Sequence, residues 1–136
     1  RRTHIPVFLD RAPEDTWDAS LAEWHHTLVT AAAGVRTGTW ELLDVHGWPD
    51  NTTCENLLAW SWTAEDGPHH LVVVNLSPIP AQGRVRLPWT DLAGRRVLFT
   101  DVLRGESFYR DGDELSAEDL YVALDPWCFH VFAVHW

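Results

Sequence analysis

The chain has 136 residues, 46% of them hydrophobic, with nine Trp, no Met, no Lys and a formal net charge of −10. That acidic balance argues against nucleic acid and anionic membranes as partners, because phosphates need a basic surface. A chain of this length buries roughly two-thirds of its unfolded surface, so one domain with an appendage needs neither a metal nor a disulfide to fold.

The first stretch, Arg1 to Glu14, reads as extended, punctuated by Pro6 and Pro13. Without Met, Arg1 is not a natural start, and the chain reads as a fragment of something larger. No apolar run approaches the ~20 residues of a membrane span, and no signal-peptide pattern is present. That leaves the compartment open; a soluble, cytoplasmic setting is preferred. Trp17, Leu21, Trp24, Leu28 and Ala32 then fall on one face at steps of three and four, which predicts a helix over Trp17–Ala33. Asp15 or Thr16 suits its N-cap, Gly34 the position just past its end, and Asp18 a charge at the helix start.

After Gly38 the period shortens. Thr39–Val45 reads as one strand, and Gly47–Asn51 as a loop. Leu57–Thr63 alternates, with Trp60 and Trp62 on one face and Ala59 and Ser61 on the other. Leu71–Leu76 is apolar on both faces and belongs at the centre of a sheet. Pro78 and Pro80 end it. Further strands are expected at Gly83–Leu87, Arg96–Asp101, Ser107–Arg110, Leu120–Leu124 and Phe129–Val134. Asp111-Gly112 reads as a tight turn, and Asp111–Glu114 as a solvated hairpin turn. The fold class is mainly β: an antiparallel Greek-key β-sandwich of about 7–8 strands preceded by one amphipathic helix.

Residues that suggest chemistry mostly have a plainer explanation. The pairs His25-His26 and His69-His70 diverge on a helix or a strand, so neither chelates alone. Cys128 and His130 share a strand face, but two ligands are too few for a closed zinc site. Cys54 and Cys128 suit half-buried thiols, with a disulfide as the alternative. No metal, cofactor or catalytic residue is assigned. The sequon Asn75-Leu76-Ser77 falls at a buried strand end and is expected to be silent. Tryptophan is the one signal that bears on function, because an indole face stacks on a pyranose ring while the same ring also fills cores. Trp24, Trp40, Trp60, Trp62 and Trp127 lie in periodic segments and are read as core or seam. Trp48, in a loop, and Trp89, beside Pro88, are the candidates for carbohydrate contact.

Several segments in order carry a family resemblance: Asn56–Trp62, Leu71–Ser77, Gln82–Leu87, Asp101–Glu106, Arg110–Leu115 and Leu120–Phe132. Together they resemble the C-terminal all-β domain of the alpha-amylase family of glycoside hydrolases. Ile5–Glu14 and the helix are similar to the exit from that family's barrel. The resemblance implies two parts: residues 1–37 as the end of a catalytic (β/α)8 barrel, and residues 38–136 as the C-terminal sandwich. It implies a non-catalytic role, packing on a barrel of the same parent chain that acts on α-glucans. The retaining reaction needs two carboxyl groups roughly 5–5.5 Å apart on barrel strands, and no residue here matches the family's catalytic motifs. The helix stripe Trp17, Leu21, Trp24 and Leu28 would face the missing barrel, fold back on the sandwich, or pair with another copy. The alternative function is a binding module that stacks α-glucan on exposed Trp.

Overall fold

The computed structural model describes residues 18–35 and 38–136. The expectations for Arg1–Glu14 and Trp17 lie outside the described residues. Helix α1 spans Ala19–Val35, so it starts and ends two residues later than the periodicity predicts. Its cap is Asp18, rather than Asp15 or Thr16. The Asp18 carboxylate accepts from Ser20 N at 3.0 Å, Leu21 N at 3.1 Å and Ser20 Oγ at 2.7 Å. The Ser20 hydroxyl and the Leu21 amide hold that carboxyl below its ordinary range. Gly34 lies inside the helix.

Nine strands follow among the described residues: β1 (Thr39–Leu43), β2 (Val45–His46), β3 (Leu57–Thr63), β4 (His69–Asn75), β5 (Ala81–Val85), β6 (Arg96–Asp101), β7 (Ser107–Asp111), β8 (Leu120–Leu124) and β9 (Phe129–His135). They form a six-stranded sheet, β1-β3-β4-β9-β6-β7, and a three-stranded sheet, β2-β5-β8. Every pairing is antiparallel. The C-terminal strand β9 lies between β4 and β6, a long-range closure in which the chain returns to the middle of the sheet.

One expected strand is two. Thr39–Val45 breaks at Asp44, where the chain leaves the large sheet and joins the small one. The Asp44 carbonyl accepts from Arg86 N at 3.0 Å, which fixes the crossing. The tight turn at Asp111-Gly112 is corrected as well: this dipeptide starts a helix, α2 (Gly112–Glu118). The Asp111 side chain accepts from Asp113 N at 2.8 Å and Glu114 N at 3.3 Å, an N-cap with acidic residues in the first turn. Gly112 is buried there, and a Cβ on it would collide with the Leu92 carbonyl. Packing against Leu92 and Arg95 settles what Asp-Gly alone leaves open.

The core between the sheets is built from inward residues such as Leu71, Val73, Val85, Val97, Phe99 and Val134. Asn75 is fully buried among them, consistent with a silent sequon. A second, smaller apolar cluster lies on the other side of the large sheet, where Val72 and Val131 meet Trp60, Trp62 and Phe129. Helix α1 lies over this outer face. Trp24 meets Phe129 edge-on at 6.4 Å, and Leu28, Ala31 and Ala32 share with Trp60 and Trp62 an apolar space of about 370 Å³. Trp24 and Leu28 therefore fold back over the sandwich, while Leu21 and Val29 stay exposed. Trp60 and Trp62 form the expected seam. Trp24, Trp40 and Trp127 do not: Trp40 is 55% and Trp127 63% exposed, and Trp24 is covered on one side only. Trp40 lies on the edge strand β1, beyond the part of the face that α1 covers among the described residues. Trp127 occupies a left-handed turn position, φ 58°, instead of a pleat.

Candidate functional site

The two carbohydrate candidates part company. Trp89 is 7% exposed. Its indole N–H donates to Thr63 Oγ1 at 3.0 Å, and its ring stacks on His69 at 5.3 Å and leans on Trp136 at 5.4 Å. Those partners come from β3, β4 and the residue after β9, so nothing in Pro88-Trp89-Thr90 itself announces the burial. A ring packed this way has no free face for a sugar, and Trp89 leaves the candidate site.

Trp48 stays. It is 40% exposed on the outer side of the small sheet, beside Tyr121 of β8, which is 49% exposed. The ring centroids are 6.4 Å apart and the planes 34° from parallel. The loop carrying Trp48 is pinned from below. Asn51 Nδ2 donates to the Gln82 carbonyl at 2.8 Å, and Asn51 Oδ1 accepts from Thr53 N at 3.0 Å. Gln82 N in turn donates to Thr53 Oγ1 at 3.1 Å. Gly47 permits the tight fold of this loop: an added Cβ would meet Cys54 Sγ at 2.9 Å and collide with the Asn51 carbonyl. A platform held by buried amide contacts has little ordering cost on binding.

Around the two rings the β5–β8 register sets polar groups. Arg84 lies opposite Tyr121, and the Tyr121 hydroxyl donates to Gln82 Oε1 at 2.8 Å. Arg84 forms an ion pair with Glu118 at 3.0 Å and also donates to the Glu118 carbonyl. His46 Nε2 approaches Asp119 Oδ2 at 3.5 Å. The result is two aromatic faces rimmed by an amide, a guanidinium, an imidazole and two carboxylates. Such a surface suits a ligand with flat CH faces and many hydroxyls. Nothing in the Leu120–Leu124 strand marks Tyr121 for a role; its contact with Trp48 and Gln82 exists only once β5 and β8 pair.

Among the described residues, no three His, Cys, Asp or Glu side chains gather as a metal site. Cys54 and Cys128 are free thiols. His69 Nδ1 accepts from Ala64 N at 3.0 Å. Burial pushes His69 and His70 below the ordinary imidazole range; nearby Asp91 opposes the shift at His69, and His135 adds to it at both. The Trp136 indole N–H donates to Asp91 and is the main reason that carboxyl lies below its usual range. His130 Nδ1 lies 2.9 Å from Asp101 Oδ2, and Asp101, itself buried, also accepts from the amides of Leu103 and Arg104.

Against known proteins, no family model matches the chain, and no curated relative does.

Proposed function

We propose that the chain is the non-catalytic C-terminal β-sandwich of an alpha-amylase-type glycosidase or glucosyl transferase acting on α-glucans. Its role is to pack on the parent's barrel and stabilise it. The observation that supports this is the outer face of the large sheet. An antiparallel sheet facing water alternates apolar-in with polar-out. Here β1, β3, β4 and β9 are apolar on the outer side as well. Helix α1 covers the middle of that face, while Trp40, Leu42 and Leu58 remain exposed in a row beside it. Covering each would contribute on the order of 1 kcal/mol. A continuous apolar face of this kind marks a surface that another body covers.

The test is an assay of the purified chain on starch and maltoheptaose, with new reducing ends counted over a day. No turnover is expected. Turnover that co-purifies with the chain through several columns would sink the proposal.

A second reading rests on the Trp48–Tyr121 platform: a module that holds α-glucan by ring stacking. Maltoheptaose should then perturb Trp fluorescence with micromolar to millimolar affinity, and Trp48→Ala or Tyr121→Ala should remove the change. A flat titration to millimolar sugar would eliminate this reading without touching the first.

A further inference from the structure

The two sheets are unequal, six strands against three. Strand β8 pairs with β5 on one side, and among the described residues no strand pairs with its other edge. Facing that open edge are the inward residues of β7, Phe108 and Arg110, aligned by register with Phe99 and Val97 of β6. Among the described residues no strand of the small sheet stands over them. The gap is a slot of about 250 Å³, floored by Phe99, Phe108 and Phe132 and walled by Val122 of β8.

The slot runs lengthwise. Arg110 is level with Val97, Phe108 with Phe99, and Phe132 with Asp101. His130 lines the slot two residues further along β9. Three steps of two residues span about 20 Å, the length of six or so extended residues. The polar groups sit at its two ends. His130 is already held by Asp101. Arg110 lines the other end; its guanidinium donates to the Tyr109 carbonyl at 2.9 Å, and among the described residues no carboxylate pairs with it. Among the described residues, an unpaired cation thus lies beside an aromatic floor and an open strand edge, which calls for an extended, apolar chain ending in an acid.

We propose that an extended peptide adds to β8 as a fourth strand of the small sheet. It seats alternate aliphatic side chains over Phe99, Phe108 and Phe132, and sets a carboxylate on Arg110. Main-chain hydrogen bonds to the edge supply affinity, and the slot selects the alternating pattern. Helix α2 links Arg110 to the Leu120 end of β8, and the Asp125–Cys128 turn links its Leu124 end to His130. An antiparallel peptide therefore carries its acid at the C-terminal end. This inference stands apart from both functions proposed above.

The probe is a fluorescein-labelled, amidated octapeptide, Thr-Val-Thr-Val-Thr-Val-Thr-Glu, which places three Val and the Glu on one face. Fluorescence anisotropy should show saturable binding below 1 mM. A final Lys in place of Glu should weaken it about fivefold, the size of one solvent-rim charge pair. Pro at positions four and five should abolish it, because proline cannot donate to a ladder. Arg110→Glu lies on an edge strand and should reverse the preference, with the Lys peptide now tighter. The reversal itself shows that this variant is folded. No saturable binding, equal binding of the proline peptide, or an unchanged preference in Arg110→Glu would each overturn the proposal. So would a dimer by sedimentation that Arg110→Glu dissociates, which would give the slot to a second copy.

Discussion

Replacing Asn75 by Ala removes the knot that ties the end of β4 to the turn between β8 and β9. The Asn75 amide donates to the carbonyls of Ile79 at 2.8 Å and Asp125 at 3.0 Å, with Leu124 O further away at 3.3 Å. Its Oδ1 accepts from Ser77 N at 3.1 Å and Ser77 Oγ at 2.8 Å. Two N–H groups and one oxygen thus make four good hydrogen bonds in a fully buried site. At about 1 kcal/mol net each, their loss comes to about 4 kcal/mol. Ser77 Oγ still reaches the Ile79 carbonyl at 2.9 Å, so one partner stays satisfied and the expected cost is about 3 kcal/mol. For a chain of this size that lowers Tm by about 12 °C. Urea and thermal unfolding, followed by Trp fluorescence and circular dichroism, measure it. Asn75→Asp sharpens the test. It retains the acceptor for Ser77 but sets a carboxylate oxygen against the three carbonyls. It should be at least as damaging at neutral pH and recover in part on acidification, because the protonated acid restores one of the two donors the amide supplied. A loss below about 1 kcal/mol in Asn75→Ala would refute the idea that this amide holds the turn.

Gly112→Ala should cost about 2 kcal/mol or more, since the new Cβ meets the Leu92 carbonyl; a thermal melt within a degree or two of the parent would show that the Leu92–Arg95 turn yields freely. Burial depresses the His70 pKa, so the fold holds the neutral ring. Its contribution is complete above the ordinary imidazole pKa, about 6.5, and is lost as pH falls through the folded-state value. With His69 and His135 adjacent and His26 across the space under α1, His70→Leu should flatten the acid limb of the Tm–pH profile, and an unchanged limb would count against this origin. Trp40→Ser combined with Leu42→Ser should reduce binding of an apolar dye to the chain while moving stability by less than about 1 kcal/mol, as expected for exposed positions; unchanged dye binding would mean that the apolar outer face is covered in some other way.

The strands that matched expectation are the ones whose information is local. Leu57–Thr63, Arg96–Asp101 and Leu120–Leu124 alternate along their own length and are bounded by turn residues, so period and punctuation suffice to place them. Where two structures share one local signal, the sequence stays silent. Asp111-Gly112 serves a tight turn and a helix start equally well, and only the packing of Gly112 against Leu92 selects the helix. Thr39–Val45 looks continuous, but the claim of two sheets on its two halves breaks it at Asp44. Burial of single aromatic residues was the least accessible. Trp48 and Trp89 both sit near turns and prolines. One is covered because His69 and Trp136 arrive from β4 and the chain's last residue, and the other stays open because its loop stands above the small sheet. The same holds for the sites. Trp48 alone was visible as a candidate, while Tyr121, Gln82 and Arg84 joined it through strand register. The slot beneath β8 follows from a count that no segment contains, six strands facing three. Periodicity is a property of neighbours along the chain; which faces are left uncovered is a property of neighbours in space, and the tertiary structure alone decides it.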